Sequence, residues 1–78
     1  MKEVQVKIST IENVKEFCKR CMNFDEDIDI LSGRYVVDAK SIMGIFSLNL
    51  FNSFTVRIYS SDEEVIAKFV EEMADFAM

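Results

Sequence analysis

Two cysteines three positions apart, Cys18-Lys19-Arg20-Cys21, carry the most reactive side chains of this 78-residue sequence. A C-x-x-C pair serves either as a dithiol redox centre or as half of a metal site. A redox pair draws its low thiol pKa from a helix N-terminus. This pair falls about two turns into the first helix described below, beyond that help. A tetrahedral zinc site takes about four ligands, whereas the chain offers two Cys and no His. Both thiols share an apolar stripe with Val14 and Phe17, so they are expected to be buried structural residues. Asp25, Glu26, Asp27 and Asp29 form an acidic cluster, without the glycine or the spacing of a calcium-binding loop. It reads as like-charge crowding on an exposed edge or loop, a feature that discourages sheet-edge aggregation. Neither a metal nor a cofactor is expected. The lack of histidine also removes the commonest general base and any phosphohistidine chemistry.

The elements that position these residues follow from periodicity. Val4, Val6 and Ile8 alternate with Gln5 and Lys7, the period of a half-buried strand. Ile11, Val14, Phe17, Cys18 and Cys21 recur at threes and fours, the stripe of a helix that ends near Asn23. Ser9 and Glu12 have the spacing of a capping box. Ile28 and Ile30 begin a second strand, Ser32-Gly33 makes a turn and Tyr35-Val36-Val37 returns, giving a hairpin. Ser41 opens a short helix with Ile45 and Leu48 three apart, and Asn49 suits a left-handed C-terminal position. Phe54, Val56 and Ile58 make a fourth strand. Ser61 and Glu64 form a second box, and Val65, Ile66, Phe69, Val70, Met73 and Phe76 line a final helix. The order β-α-β-β-α-β-α predicts an α+β open-faced β-sandwich, a four-stranded antiparallel sheet with helices on one face.

The stretch Asp38-Ala39-Lys40-Ser41-Ile42-Met43-Gly44-Ile45-Phe46-Ser47-Leu48-Asn49-Leu50 resembles the Ala-Lys-Ser segment of the HPr phosphocarrier family of the bacterial sugar phosphotransferase system. The element order and the acidic start of the last helix also resemble that family, which implies a single HPr-like domain over residues 1–78. Family members accept a phosphoryl group on a histidine at the start of the first helix, closely followed by an arginine and a proline. Here Ser9-Thr10-Ile11-Glu12-Asn13 holds none of the three. Thr10 falls nearest the histidine position. Its hydroxyl has no nitrogen that titrates near neutrality and would hold phosphate as a stable ester, and Glu12 sets a negative charge where the family has a cation. Ser9, Thr10 and Glu12 are thus expected to be a degenerate phosphoacceptor region, in a member that has lost the relay.

What the resemblance leaves in place is Ser41. In Gram-positive members a serine in this position is phosphorylated by a dedicated kinase, and the change is regulatory. A phosphate there gains from free N–H groups at a helix start; the structural alternative is an N-cap alone, worth about 1 kcal/mol. If Ile45, Leu48 and Leu50 face the core, helical geometry turns Ile42, Met43 and Phe46 outward. The family docks its partners on that side, so these three are expected to bind another protein: a kinase, a regulator or a second copy. The expected function is a non-catalytic regulatory or interaction module, not an enzyme. A structural or self-associating domain without a switch, and a carrier using Thr10, are the other readings. The formal charge of −5 argues against nucleic acid as partner. The longest nearly apolar stretch, from Ile42 to Phe51, is too short and too polar to span a bilayer, and no signal-peptide run opens the chain. A cytoplasmic location without membrane contact is therefore expected.

Overall fold

The computed structural model describes residues 1–48 and 53–77. Strand β1 (Lys2–Val6), helix α1 (Ile11–Cys21), strands β2 (Ile28–Ser32) and β3 (Tyr35–Asp38), helix α2 (Ile42–Phe46), strand β4 (Phe54–Ile58) and helix α3 (Glu63–Met73) follow one another. The strands form one antiparallel sheet in the order β1-β4-β2-β3. Phe54, Val56 and Ile58 are buried while Thr55 and Arg57 are partly open, as a sheet with one covered face requires. Register carries this pattern across strands. Val4, Val56, Ile30 and Val37 share a row on the covered face, and Glu3, Arg57, Asp29 and Asp38 share one on the open face. The core joins the covered row to Val14, Phe17, Cys21, Ile45, Phe69, Met73 and Phe76 from the helical side.

Local chemistry sets the element ends. Gly33 adopts φ +57° in the β2–β3 turn, the left-handed conformation that glycine reaches without a Cβ penalty. Two caps lie one residue later than the capping-box spacing predicts. Thr10, not Ser9, caps α1, with Oγ1 accepting from the Asn13 N–H at 3.1 Å. Asp62, not Ser61, caps α3, with Oδ1 accepting from the Glu64 N–H at 2.9 Å. Each expected cap has a neighbour with an equally suitable side-chain oxygen, and the side chain aligned with the free N–H groups takes the role. Ile11, placed on the core stripe by its spacing, is instead 59% exposed as the first residue of α1, and the stripe reaches the core only from Val14 onward. Val70 is likewise exposed. Phe76 lies past the end of α3 yet is buried. Its ring meets Phe17 edge-on at 5.6 Å, and its carbonyl accepts from the Lys7 N–H at 2.9 Å. The expected roles of Asn49 and Leu50 fall outside the described residues.

Candidate functional site

The segment from Asp38 to Ser47 is built from short, mutually reinforcing bonds. The Ala39 N–H donates to the Ile28 carbonyl at 2.9 Å, which anchors the loop to β2, and the Ser41 N–H donates to the Asp38 carbonyl at 3.0 Å. The Asp38 Oδ1 accepts from the Lys40 N–H at 2.9 Å, an Asx turn. Lys40 Nζ donates to the Phe24 carbonyl at 2.6 Å, tying the loop to the segment after α1. Ser41 is the N-cap of α2, and its Oγ accepts from the Gly44 N–H at 3.2 Å. Ser47 closes the far end, its hydroxyl donating to the Gly44 carbonyl at 2.6 Å. This five-residue helix is too short to persist by itself, so these bonds and the fully buried Ile45 hold it in place.

Two of the three expected docking side chains stand out from the surface. Met43 is 78% exposed and Phe46 41% exposed. Ile42 differs from the expectation: it is half-buried and packs against the core. Side chains of a helix lean toward its N-terminus, and in the first turn that direction runs back over the loop. The apolar face is therefore Met43 and Phe46, with Ile42 as its footing.

At the start of α1 the side chains of Ser9, Thr10 and Glu12 are all exposed. The Thr10 hydroxyl already accepts the capping bond, and the only charge in the first turn is Glu12. A negative side chain suits the positive end of a helix; it does not suit an incoming phosphate. Cys18 and Cys21 are free thiols in the core. Burial, and secondarily Cys18, pushes the Cys21 thiol up to about 12, and burial followed by Asp38 raises Cys18. Neither is the thiolate that redox chemistry requires. Among the described residues no group of three or more Cys, Asp or Glu is arranged to hold a metal ion.

Two participants escape the sequence reading. Lys40 reads as part of a motif, and nothing in the pattern reports its reach to the carbonyl of Phe24. Arg20 reads as a scattered surface cation, yet it organises a cleft of about 390 Å³ between α1 and the end of α3, lined by Glu16, Lys19, Asn23, Glu71, Glu72 and Asp75. Its guanidinium donates to Asp75 Oδ2 at 2.7 Å, to the Glu72 carbonyl at 2.9 Å and to Glu16 Oε1 at 3.1 Å, and lies over the Phe76 ring. Only the i, i+4 spacing of Glu16 and Arg20 is visible in advance.

A loop capped by Ser41, a short helix with an apolar outer face and an open-faced sandwich make up a small α+β domain. The family model described as the PTS HPr component phosphorylation site matches residues 12–78, so the chain belongs to the HPr family. HPr-C-His from Thermoanaerobacter tengcongensis superposes with a TM-score of 0.78 at 28% identity, covering 96% of this chain and 89% of that one. The phosphocarrier protein HPr from Bacillus anthracis superposes with a TM-score of 0.69 at 29% identity, covering 96% and 93%. A histidine-containing phosphocarrier protein of Mycoplasma, 16% identical, shares the fold with a TM-score of 0.69, covering 95% and 91%. No match was found among curated protein sequences. The chain is thus a phosphotransferase-system protein of the phosphocarrier type, a class that carries phosphoryl groups rather than catalysing reactions and that interacts with other proteins of the system. No described helix is long and apolar enough to cross a membrane.

Proposed function

We propose that this protein is an HPr-family module that has set aside phosphoryl relay and acts by binding a protein partner through α2, with Ser41 as its regulatory phosphorylation site. The observation that carries this reading is one contrast. The Ser41 loop and the Met43–Phe46 face are fully formed, in a chain without a single histidine. Exposed large apolar groups on a small charged protein are typical of interaction sites. Phosphorylation of Ser41 would replace a hydroxyl that accepts one capping bond with a group of about −2 charge, set next to Met43 and Phe46. Such a change reports to any partner seated on α2. Ser9, Thr10 and Glu12 take no part in phosphoryl transfer in this reading, and the protein acts in the cytoplasm, without nucleic acid, membrane, metal or cofactor.

Incubation with an HPr kinase and ATP, and in parallel with enzyme I and phosphoenolpyruvate, tests both halves. Label on Ser41 from the kinase, lost in Ser41→Ala, is the expected result. Label acquired from enzyme I would overturn the loss of relay, and no incorporation at Ser41 would remove the switch. Partner binding is checked by pull-down with Phe46→Asp, which is expected to lose it.

A further inference from the structure

The two edges of the sheet are finished differently. The edge of β1 is partly occupied by the C-terminal segment, through the Lys7–Phe76 bond and a bridge between Val6 and Ala77. The edge of β3 pairs with nothing among the described residues. Its side chains are large and open, with Tyr35 69% and Val36 61% exposed, and no lysine or proline guards it, although those are the usual means of blunting an edge.

The directions of its backbone groups follow from the pairing. Tyr35 pairs with Ser32 across a two-residue turn and Val37 with Ile30, and the Ala39 N–H donates to Ile28. Residues of an antiparallel strand alternate in the edge to which they direct N–H and C=O. Tyr35, Val37 and Ala39 therefore face β2, and Val36 and Asp38 face outward; Arg34 belongs to the turn just before the strand. The Asp38 carbonyl is taken by Ser41; its N–H and both groups of Val36 have no backbone partner among the described residues.

We propose that this edge is a self-association surface, on which β3 pairs antiparallel with β3 of a second copy about a two-fold axis at Val36. Outward groups must meet outward groups, which restricts the registers to those that pair even-numbered residues with even-numbered ones. Centred on Val36, Tyr35 stands opposite Val37 of the second copy, and Arg34, in the turn that leads into the strand, adjoins the partner copy's Asp38, twice by symmetry. Opposite charges and aromatic–β-branched pairs are the favourable cross-strand combinations. Centred on Val37, Val36 would instead face Asp38; centred on Tyr35, Asp38 would face nothing. Arg34 makes no ion pair among the described residues, so it is available. A two-fold contact of this kind is self-complementary. It is small beside a standard interface, so the association is weak and concentration-dependent. It rests on the backbone edge of β3 and not on the Met43 and Phe46 side chains, although α2 packs against the same strand.

Sedimentation or light scattering from about 10 µM to about 1 mM spans the range in which a weak contact populates. The mass is expected to rise from 9.0 kDa toward twice that value. Val36→Lys is expected to stay at one chain throughout. Arg34→Glu alone and Asp38→Arg alone are also expected to stay at one chain, whereas their equimolar mixture re-forms the pair. Each mixed interface then sets the introduced carboxylate against the introduced guanidinium and keeps one native Arg34–Asp38 contact. Circular dichroism verifies that each variant is folded, and Val36→Lys carries the test if Asp38→Arg is not. Phe46→Asp is expected to leave the pairing intact. A wild-type mass fixed at one chain up to about 1 mM, a pairing that survives Val36→Lys, a folded mixture that does not re-form, or loss of pairing in Phe46→Asp would each overturn the proposal.

Discussion

At the start of α1, the Thr10 side-chain oxygen is engaged in capping the helix. Thr10→Ala is expected to lower stability by about 1 kcal/mol, read as a shift in the urea midpoint, and to leave labelling of Ser41 unchanged. Cys21 gives a second residue-scale prediction. An unfolded thiol ionises at a pKa of about 8.5, while burial holds Cys21 neutral up to about 12. A raised folded-state pKa contributes fully below the unfolded value. Above it, the unfolded chain sheds a proton that the fold retains, so this group removes about 1.4 kcal/mol of stability per pH unit until its folded pKa is reached. The stability difference between wild type and Cys21→Ala should therefore narrow as pH rises above about 8.5, and native-state alkylation of Cys21 should be slow. The sequence shows which residue types serve as caps, but not which of two adjacent oxygens does. Ser9 beside Thr10 and Ser61 beside Asp62 are equivalent in type, and backbone geometry decides between them.

At the scale of elements, α2 holds together through capping bonds at both ends and one buried side chain. Gly44 sits in its interior with ordinary negative φ. A Cβ there would meet Ser41 Oγ at 3.4 Å and the Val37 Cβ at 3.6 Å, both tolerable contacts. Gly44→Ala is thus expected to stabilise the protein by about 0.5–1 kcal/mol, measured by thermal unfolding. The clasp at the other side behaves differently. Arg20→Ala should free the turn after α3, seen as faster amide exchange at Lys7, whose bond to Phe76 depends on that turn. Strand and helix positions were readable because Val4-Val6, Ile28-Ile30 and Phe54-Val56-Ile58 alternate and the helical stripes recur at threes and fours. Ile42 was not, because a helix of five residues lacks a complete second turn and so has no clean inner and outer face. The clasp was invisible for another reason: Arg20 and Asp75 are 55 positions apart, a separation that no local pattern reports.

For the molecule as a whole, stability rests on a small core without disulfides. Phe17 touches the C-terminal segment and belongs to the fully buried set. Phe17→Ala is expected to cost about 3–5 kcal/mol, a large share of the roughly 5–15 kcal/mol available to a domain, and calorimetry should show a Tm well below that of the wild type. The core does not depend on the side chains at the start of α1: Ser9, Thr10 and Glu12 are exposed there, outside the packed interior.

The bridge from Ala77 to Val6 has a consequence for how far assembly can proceed. A sheet with two open edges is a bifunctional unit and can add copies without limit, as fibres do. Here the end of β1 is occupied by the chain's own terminal turn, and the remainder of that strand begins with Lys2, a residue of the kind that blunts a sheet edge. Among the described residues, β3 is then the one edge left open. A unit of valence one terminates at a pair, so an arginine and an aspartate at the β3 edge can join two copies without opening a route to aggregation.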